Sequence, residues 1–207
     1  MRILAIAFLA TLLTMPLIRA DDTAEVMELV KSNIDIVIGF LRNKEIDKKE
    51  RNQKIIATIN PFFDFRTMAR VCLGETYWKP LSPAERKAFV ELFVLRLQES
   101  YLEELDLYTD EEVVVADATA VKKRIHVVTH LVTKDDKLEM IYKFYKSRKR
   151  GWLVYDVVIL GVSVVQTYRS QFSGFLKESS FADLMERLKT TGGFTIPTDA
   201  EGKSKAG

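Results

Sequence analysis

Residues 152–172, WLVYDVVILGVSVVQTYRSQF, constrain the fold more than any other stretch of the chain. Trp152 to Ile159 reads as a strand, with Trp152, Val154, Asp156 and Val158 expected on one face and Leu153, Tyr155, Val157 and Ile159 on the other. Both faces are mostly apolar, so both should be covered. Gly161 permits a sharp turn, and Ser163 can cap a helix. Val164, Val165, Tyr168, Phe172, Phe175 and Leu176 then recur at helical spacing. A strand therefore feeds directly into a helix that packs back over its own sheet. Asp156, the one acid in this apolar setting, has Arg169 as its candidate partner.

The rest of the chain supplies partners for that unit. Asp22-Thr23-Ala24-Glu25 reads as a capping box ahead of a stripe of Met27, Val30, Ile34, Val37, Ile38 and Leu41. Asp47 to Glu50 reads as a second box, opening a helix that carries Ile55, Ile56 and Ile59 and that Pro61 must end or kink. Asp64 should cap a short helix bearing Phe65, Met68, Ala69 and Cys72, closed by Gly74. A connector with Tyr77, Trp78 and Pro80 follows. Ser82-Pro83-Ala84-Glu85 then starts a long helix with Phe89, Leu92, Phe93, Leu97, Tyr101, Leu105 and Tyr108 on one side. From Glu111 the period changes to two. Strands are expected over Val113–Ala118, Arg124–Thr133, Leu138–Phe144 and from Trp152, with Asp135-Asp136-Lys137 and Ser147 to Gly151 as turns. A last helix is expected at about Phe181 to Leu188. The fold class is α+β: a four-stranded, twisted antiparallel sheet packed with several helices.

The N-terminus reads as a secretory leader, residues 1–20. Arg2 precedes the apolar run Ile3–Leu13, Pro16 breaks it, and Ala20 precedes Asp21-Asp22. The run is shorter than the roughly 20 apolar residues of a membrane span. Without Arg2 and Arg19 the chain holds 29 basic and 29 acidic residues, net zero with His neutral. That balance argues against a nucleic-acid binder. Lys146, Arg148, Lys149 and Arg150 cluster locally, first as a hairpin tip and second as a surface for an anionic membrane or partner. Cys72 is the only cysteine, so no intramolecular disulfide can form and burial of the thiol is expected. Residues 21–191 are expected to form one domain, and residues 192–207, which hold Gly, Pro, Lys and Ser with little apolar content, are expected to be disordered.

Catalytic chemistry finds little support. His126 and His130 sit four apart in a strand, about 13 Å from each other on one face, too far to share a metal. Gly161-Val162-Ser163-Val164-Val165 lacks the second Gly of a nucleophile elbow, leaving Ser163 as a helix cap. No phosphate-cradling loop and no Cys-His metal spacing are present. No catalytic residue, cofactor or metal is assigned, and an enzyme of the small α+β cone type would need polar groups converging on a cavity. The surplus of apolar residues on both faces of the third and fourth strands is more informative. It fits a filled two-layer core or a core left hollow for an apolar ligand, and pattern alone does not separate these.

Phe63-Asp64-Phe65, Met68-Ala69, Leu73-Gly74, Trp78 and the Ser82–Glu85 helix start resemble the first half of the MlaC, or toluene-tolerance auxiliary, family. Trp152, Tyr155-Asp156-Val157, Gly161-Val162-Ser163 and Tyr168-Arg169-Ser170-Gln171-Phe172 resemble its second half. The resemblance implies a periplasmic phospholipid carrier, whose lipid tails lie in a cavity between sheet and helices. It further implies service to an inner-membrane ABC lipid transporter complex and an outer-membrane lipoprotein complex. By position it implies tail contacts from Tyr101 and Met140; the apolar pattern adds Phe65, Met68, Leu97, Tyr142, Val157 and Val164. Where the family often carries an acid before Gly-Val-Ser, this chain has Leu160, so any polar contact of that acid is lost. Another lipid such as a hopanoid, or a lipid-free adaptor holding a peptide in the same groove, stays open.

Overall fold

The computed structural model describes residues 20–106, 111–134, 136–190 and 194. Nearly all of the expected leader and tail, with Tyr108 and Asp135, lies outside them. The helices are α1 (Ala20–Arg42), α2 (Lys48–Ile59), α3 (Phe65–Leu73), α4 (Glu75–Trp78), α5 (Pro83–Leu105), α6 (Val164–Phe175) and α7 (Phe181–Lys189). A single 3-10 turn, Asn60–Phe62, joins α2 to α3. The strands are β1 (Glu112–Val121), β2 (Arg124–Val132), β3 (Lys137–Ser147), β4 (Gly151–Ile159) and β5 (Val162–Ser163). They form one antiparallel sheet in the order β1-β2-β3-β4-β5. The fold class is α+β as the pattern predicts, with a fifth strand where four were expected. That strand is only two residues long, too short to show a period.

Local signals explain most helix ends. Asp47 accepts from the Glu50 amide, Asp64 from Thr67, and Ser163 from Gln166. Ser82 and Glu85 exchange both bonds of a capping box, at 3.2 and 2.8 Å. Ser180 and Asp183 do the same for α7. The box expected at Asp22 is absent, because α1 already includes Ala20; the Asp22 carboxylate instead takes Lys146 Nζ at 2.7 Å. The Glu75–Trp78 stretch, expected as a connector, winds into one helical turn after Gly74, whose φ of 79° suits glycine.

Two bulges re-aim the sheet. The pairing of β3 with β4 sets Phe144 opposite Val154 and Tyr142 opposite Val157, so three residues of β4 replace the usual two. Trp152, Val154, Val157 and Ile159 therefore share one face, and the strict alternation expected from the sequence is wrong beyond Val154. A second irregularity between Val115 and Asp117 does the same for β1. The common inner face carries Ile125, Val127 and Thr129 of β2, and Met140, Tyr142 and Phe144 of β3. Helix α1 lies over β1 and β2, while α3 and α6 lie against β4. The close backbone approaches of α5 are to α3 and α7.

The aromatic heart sits between α5, α6 and α7. Phe89, Phe93, Tyr168 and Phe172 are fully buried. Phe93 meets Tyr168 edge-on at 5.5 Å and Phe172 at 6.4 Å, the T-shaped geometry that ring quadrupoles favour. Phe194, within the segment expected to be disordered, is buried and packs edge-on against Phe172 at 4.9 Å. Cys72 is buried as expected, its Sγ 3.5 Å from the Val165 carbonyl oxygen. Burial pushes its thiol pKa far up, so the group stays protonated.

Candidate functional site

The interior changes character along α5. Phe89, Phe93 and Leu97 are almost wholly buried, whereas Tyr101, one turn further, keeps accessible surface. Across from it, Tyr142 and Met140 of β3 and Ile159 of β4 keep some too. The register puts Met140 opposite both Thr129 and Ile159, and Tyr142 opposite both Val127 and Val157, on the inner face. Burial pushes the phenol pKa of Tyr101 far up, with Tyr142, Tyr168 and Asp156 adding to it. Burial raises that of Tyr142 as well. Tyr101, Met140, Tyr142 and Ile159 are thus half-buried on facing elements.

The eight residues singled out from the sequence fall into three groups. Met68, Leu97, Val157 and Val164 are buried members of the core. Tyr101 and Tyr142 are partly accessible and pack against that core. Met140 joins them by strand register. Phe65 also packs against that core from the start of α3, its ring stacked on Phe63 at 5.3 Å, where Phe63 bridges to Val154 at the sheet edge.

The candidate pair Asp156–Arg169 does not form. Asp156 faces Lys143 Nζ at 2.9 Å, accepts from Ser163 Oγ at 2.9 Å and takes the Val165 amide at 3.2 Å. The bulge before it turns the carboxylate toward β3 and the α6 N-terminus, while Arg169 is exposed on α6. This buried acid therefore welds the strand to the helix that follows it. His126 and His130 lie on the opposite face of the sheet, beside Lys143 and Glu139. Burial, then Lys143 and Arg124, hold the His126 pKa below its usual range.

Sequence reasoning missed two buried polar residues. Thr129 is fully buried on the inner face, its hydroxyl 3.5 Å from the Met140 carbonyl oxygen. Arg96 on α5 is 7% exposed, with Nη2 2.5 Å from Glu99 Oε2. Its position three residues after Phe93 was the available signal, a charge one turn along an apolar stripe.

A separate open cleft of about 610 Å³ lies between α1, the 3-10 turn and the β3–β4 turn, bordered by Glu25, Glu28, Leu29, Phe62, Arg150 and Trp152. None of the eight residues lines it, and its acids make it a poor seat for acyl tails. Arg150 donates to the Pro61 carbonyl at 2.9 Å and Lys146 lies over the Trp152 ring. Two of the four basic hairpin residues thus tie the turn to its neighbours, leaving Arg148 and Lys149 exposed on it.

An aromatic-bordered interior above an antiparallel sheet invites comparison with known proteins. The MlaC protein family matches residues 31–190. The chain belongs to the MlaC family. Among solved structures, a phospholipid-binding protein from Ralstonia solanacearum, in complex with a phospholipid, is similar to this MlaC-family chain with a TM-score of 0.70. The two are 21% identical over 79% of this chain and 94% of the other, a likeness of fold. Among the described residues no helix is long and apolar enough to cross a membrane.

Proposed function

We propose that this MlaC-family chain carries phospholipid, holding the acyl tails between the C-terminal half of α5 and the inner face of β2–β4. The observation that carries this reading is the coincidence of Tyr101, Tyr142 and Met140, crowded by protein yet still accessible, on the two sides of one interior. Tyr101, Met140, Tyr142, Leu97, Val157 and Val164 contact the tails; Met68 backs them, and Phe65 borders the edge of the site. Two acyl chains with about 28 methylenes represent on the order of 20 kcal/mol of hydrophobic transfer, so free diffusion through water is negligible. A carrier must match that dryness without greatly exceeding it, or release would fail.

The head group stays at the mouth. Lipid is received from and delivered to membrane-bound partners in the periplasm, an inner-membrane ABC transporter complex and an outer-membrane lipoprotein complex. Residues 1–20 are removed on export, and residues 21–191 act as one lipid-binding domain. No catalytic step is required. A partner that favours the open form drives exchange, since a ligand alone shifts a population only by its differential affinity.

Native mass spectrometry of the purified mature chain tests this. Phospholipid masses should accompany the wild type and be lost in Met140→Trp and Tyr101→Asp, with the fold retained. Unchanged lipid in both variants would remove the site from this interior.

A further inference from the structure

One end of the sheet gathers cations that meet no acid. Each strand pairs antiparallel with the next in chain order, so the β1–β2 and β3–β4 turns lie at the same end. Val121 pairs with Arg124, Arg124 with Tyr145, and Tyr145 with Leu153, a row that sets the two turns about 10 Å apart across the sheet. The first turn brings Lys122, Lys123 and Arg124, the second Arg148, Lys149 and Arg150. Arg150 is engaged by the Pro61 and Phe63 carbonyls, and Lys146, just before the second turn, by Asp22. Lys122, Lys123, Arg124, Arg148 and Lys149 are exposed, and among the described residues no carboxylate pairs with any of them. The Arg124 guanidinium lies over the Tyr155 ring at 4.5 Å, which orients the group and leaves its charge in place.

Without residues 1–20 the chain has no net charge, so this is charge by placement. Salt screens exposed charges beyond about 8 Å, so a surface that meets this end meets the five cations rather than the balance of the whole. The other end of the sheet, at the β2–β3 turn, mixes Lys134 and Lys137 with Asp136 and Glu139, all exposed. The placement carries strain at Lys122, whose φ of 57° is ordinarily left to glycine or asparagine in a two-residue turn. Composition then says what this end fits. Residues 121–124 and 147–151 hold one apolar side chain, Val121, and no aromatic ring. Protein interfaces are built on buried aromatic and apolar anchors and are depleted of lysine. Flexible lysines on two turns suit a fluid array of anions, which needs no fixed shape on either side.

We propose that the β1–β2 and β3–β4 turns dock the chain on an anionic membrane surface through Lys122, Lys123, Arg124, Arg148 and Lys149. Each cation near such a surface strengthens adsorption about fivefold, so the docking is electrostatic and reversible. It holds whether or not the chain carries lipid. The test is co-sedimentation of the mature chain with vesicles of phosphatidylcholine alone, and with vesicles in which about a third of the lipid is phosphatidylglycerol. At low salt, wild type should bind the anionic vesicles and leave the neutral ones, and raised salt should release it. Lys123→Gln combined with Lys149→Gln should weaken that binding about 25-fold, two steps of about fivefold. Lys44→Gln combined with Lys177→Gln removes the same charge from exposed lysines outside the two turns, and should leave binding nearly unchanged. Equal losses in the two double variants overturn the inference, because overall charge then governs adsorption. Equal binding to neutral and anionic vesicles overturns it as well. Failure of wild type to bind the anionic vesicles also overturns it, and leaves an acidic protein surface as the partner to seek.

Discussion

The two halves of α5 use similar apolar residues and do different work. In the N-terminal half, Phe89 and Phe93 face other rings: Trp78 at 6.5 Å, Phe172 at 5.9 Å from Phe89, and Tyr168 at 5.5 Å from Phe93. Ring meets ring across a helix–helix contact, and the space is filled. In the C-terminal half, Tyr101 looks toward a sheet face built largely of β-branched residues, Val127, Thr129 and Val157, among which Tyr142 and Met140 stand partly accessible. Val127, Thr129 and Val157 are themselves buried, so what stays accessible on this side is the longer side chains of Tyr101, Met140 and Tyr142. The lesson is that an equally apolar stripe can end in packed rings or in part-covered long side chains, according to what stands opposite it.

The strongest way to break this comparison is truncation on each side. Phe93→Ala should cost about 3–5 kcal/mol, because its cavity is walled by rings that cannot collapse into it. Met140→Ala, on the open side, should cost about 1 kcal/mol in lipid-free protein, since the residue already borders accessible space. Urea unfolding of both variants checks this, and equal losses would mean the two halves are packed alike.

A smaller effect is expected at the joint between them. Asp156 binds Lys143 on the sheet side and Ser163 with the Val165 amide on the helix side. Asp156→Ala strands a largely buried ammonium and an uncapped amide, and should cost about 3 kcal/mol by chemical denaturation. Loss of lipid from that variant, with secondary structure kept, would show that the weld sets the distance between sheet and helix. Lipid content equal to wild type would show that it does not.

Acid should weaken the Asp64 cap at the start of α3. Burial alone would raise the Asp64 pKa, but the Tyr145 hydroxyl, Thr67 and Arg150 together hold it below 3.8. A carboxyl with a depressed folded pKa contributes stability that is complete above its unfolded value and disappears as pH falls through the folded one. The contribution is therefore lost below pH 3.8, and Asp64→Asn should flatten the acid limb of the stability curve there. A limb of unchanged steepness in the variant would place the acid sensitivity elsewhere.

Most of the architecture was legible because period, caps and punctuation agreed. The Ser82–Glu85 box and the Asp64 and Ser163 caps set helix starts without reference to tertiary contacts. The register of β4 was not legible, because a bulge inserts a residue without changing composition, and it moved Asp156 away from Arg169. The box at Asp22 failed because α1 already includes Ala20, and its acid pairs instead with Lys146 across 124 positions. Tyr101, Met140 and Tyr142 were legible as positions facing the interior between α5 and the sheet. Arg96 was not, since a charge in a stripe looks like an interruption until its neighbours are known. Phe65 was legible in the same way, as an apolar position that packs against the core from the start of α3.

The smallest expected effect concerns the turn that closes the open side. Leu160 takes φ 49° and Gly161 φ 82°, so the two-residue link from β4 to β5 needs a left-handed conformation at both positions. Leu pays steric strain there of about 1 kcal/mol, and its side chain is 43% exposed, so packing returns little. Leu160→Gly should therefore stabilise the protein by a few tenths of a kcal/mol up to about 1 kcal/mol, the gain reduced by the greater freedom of an unfolded glycine. Leu160→Asn should behave similarly, because Asn tolerates this region while keeping a side chain. Thermal unfolding of both variants measures it. A clear loss in each would mean that the exposed Leu160 side chain packs usefully after all, and that the open side is closed at this end by hydrophobic contact rather than by backbone geometry.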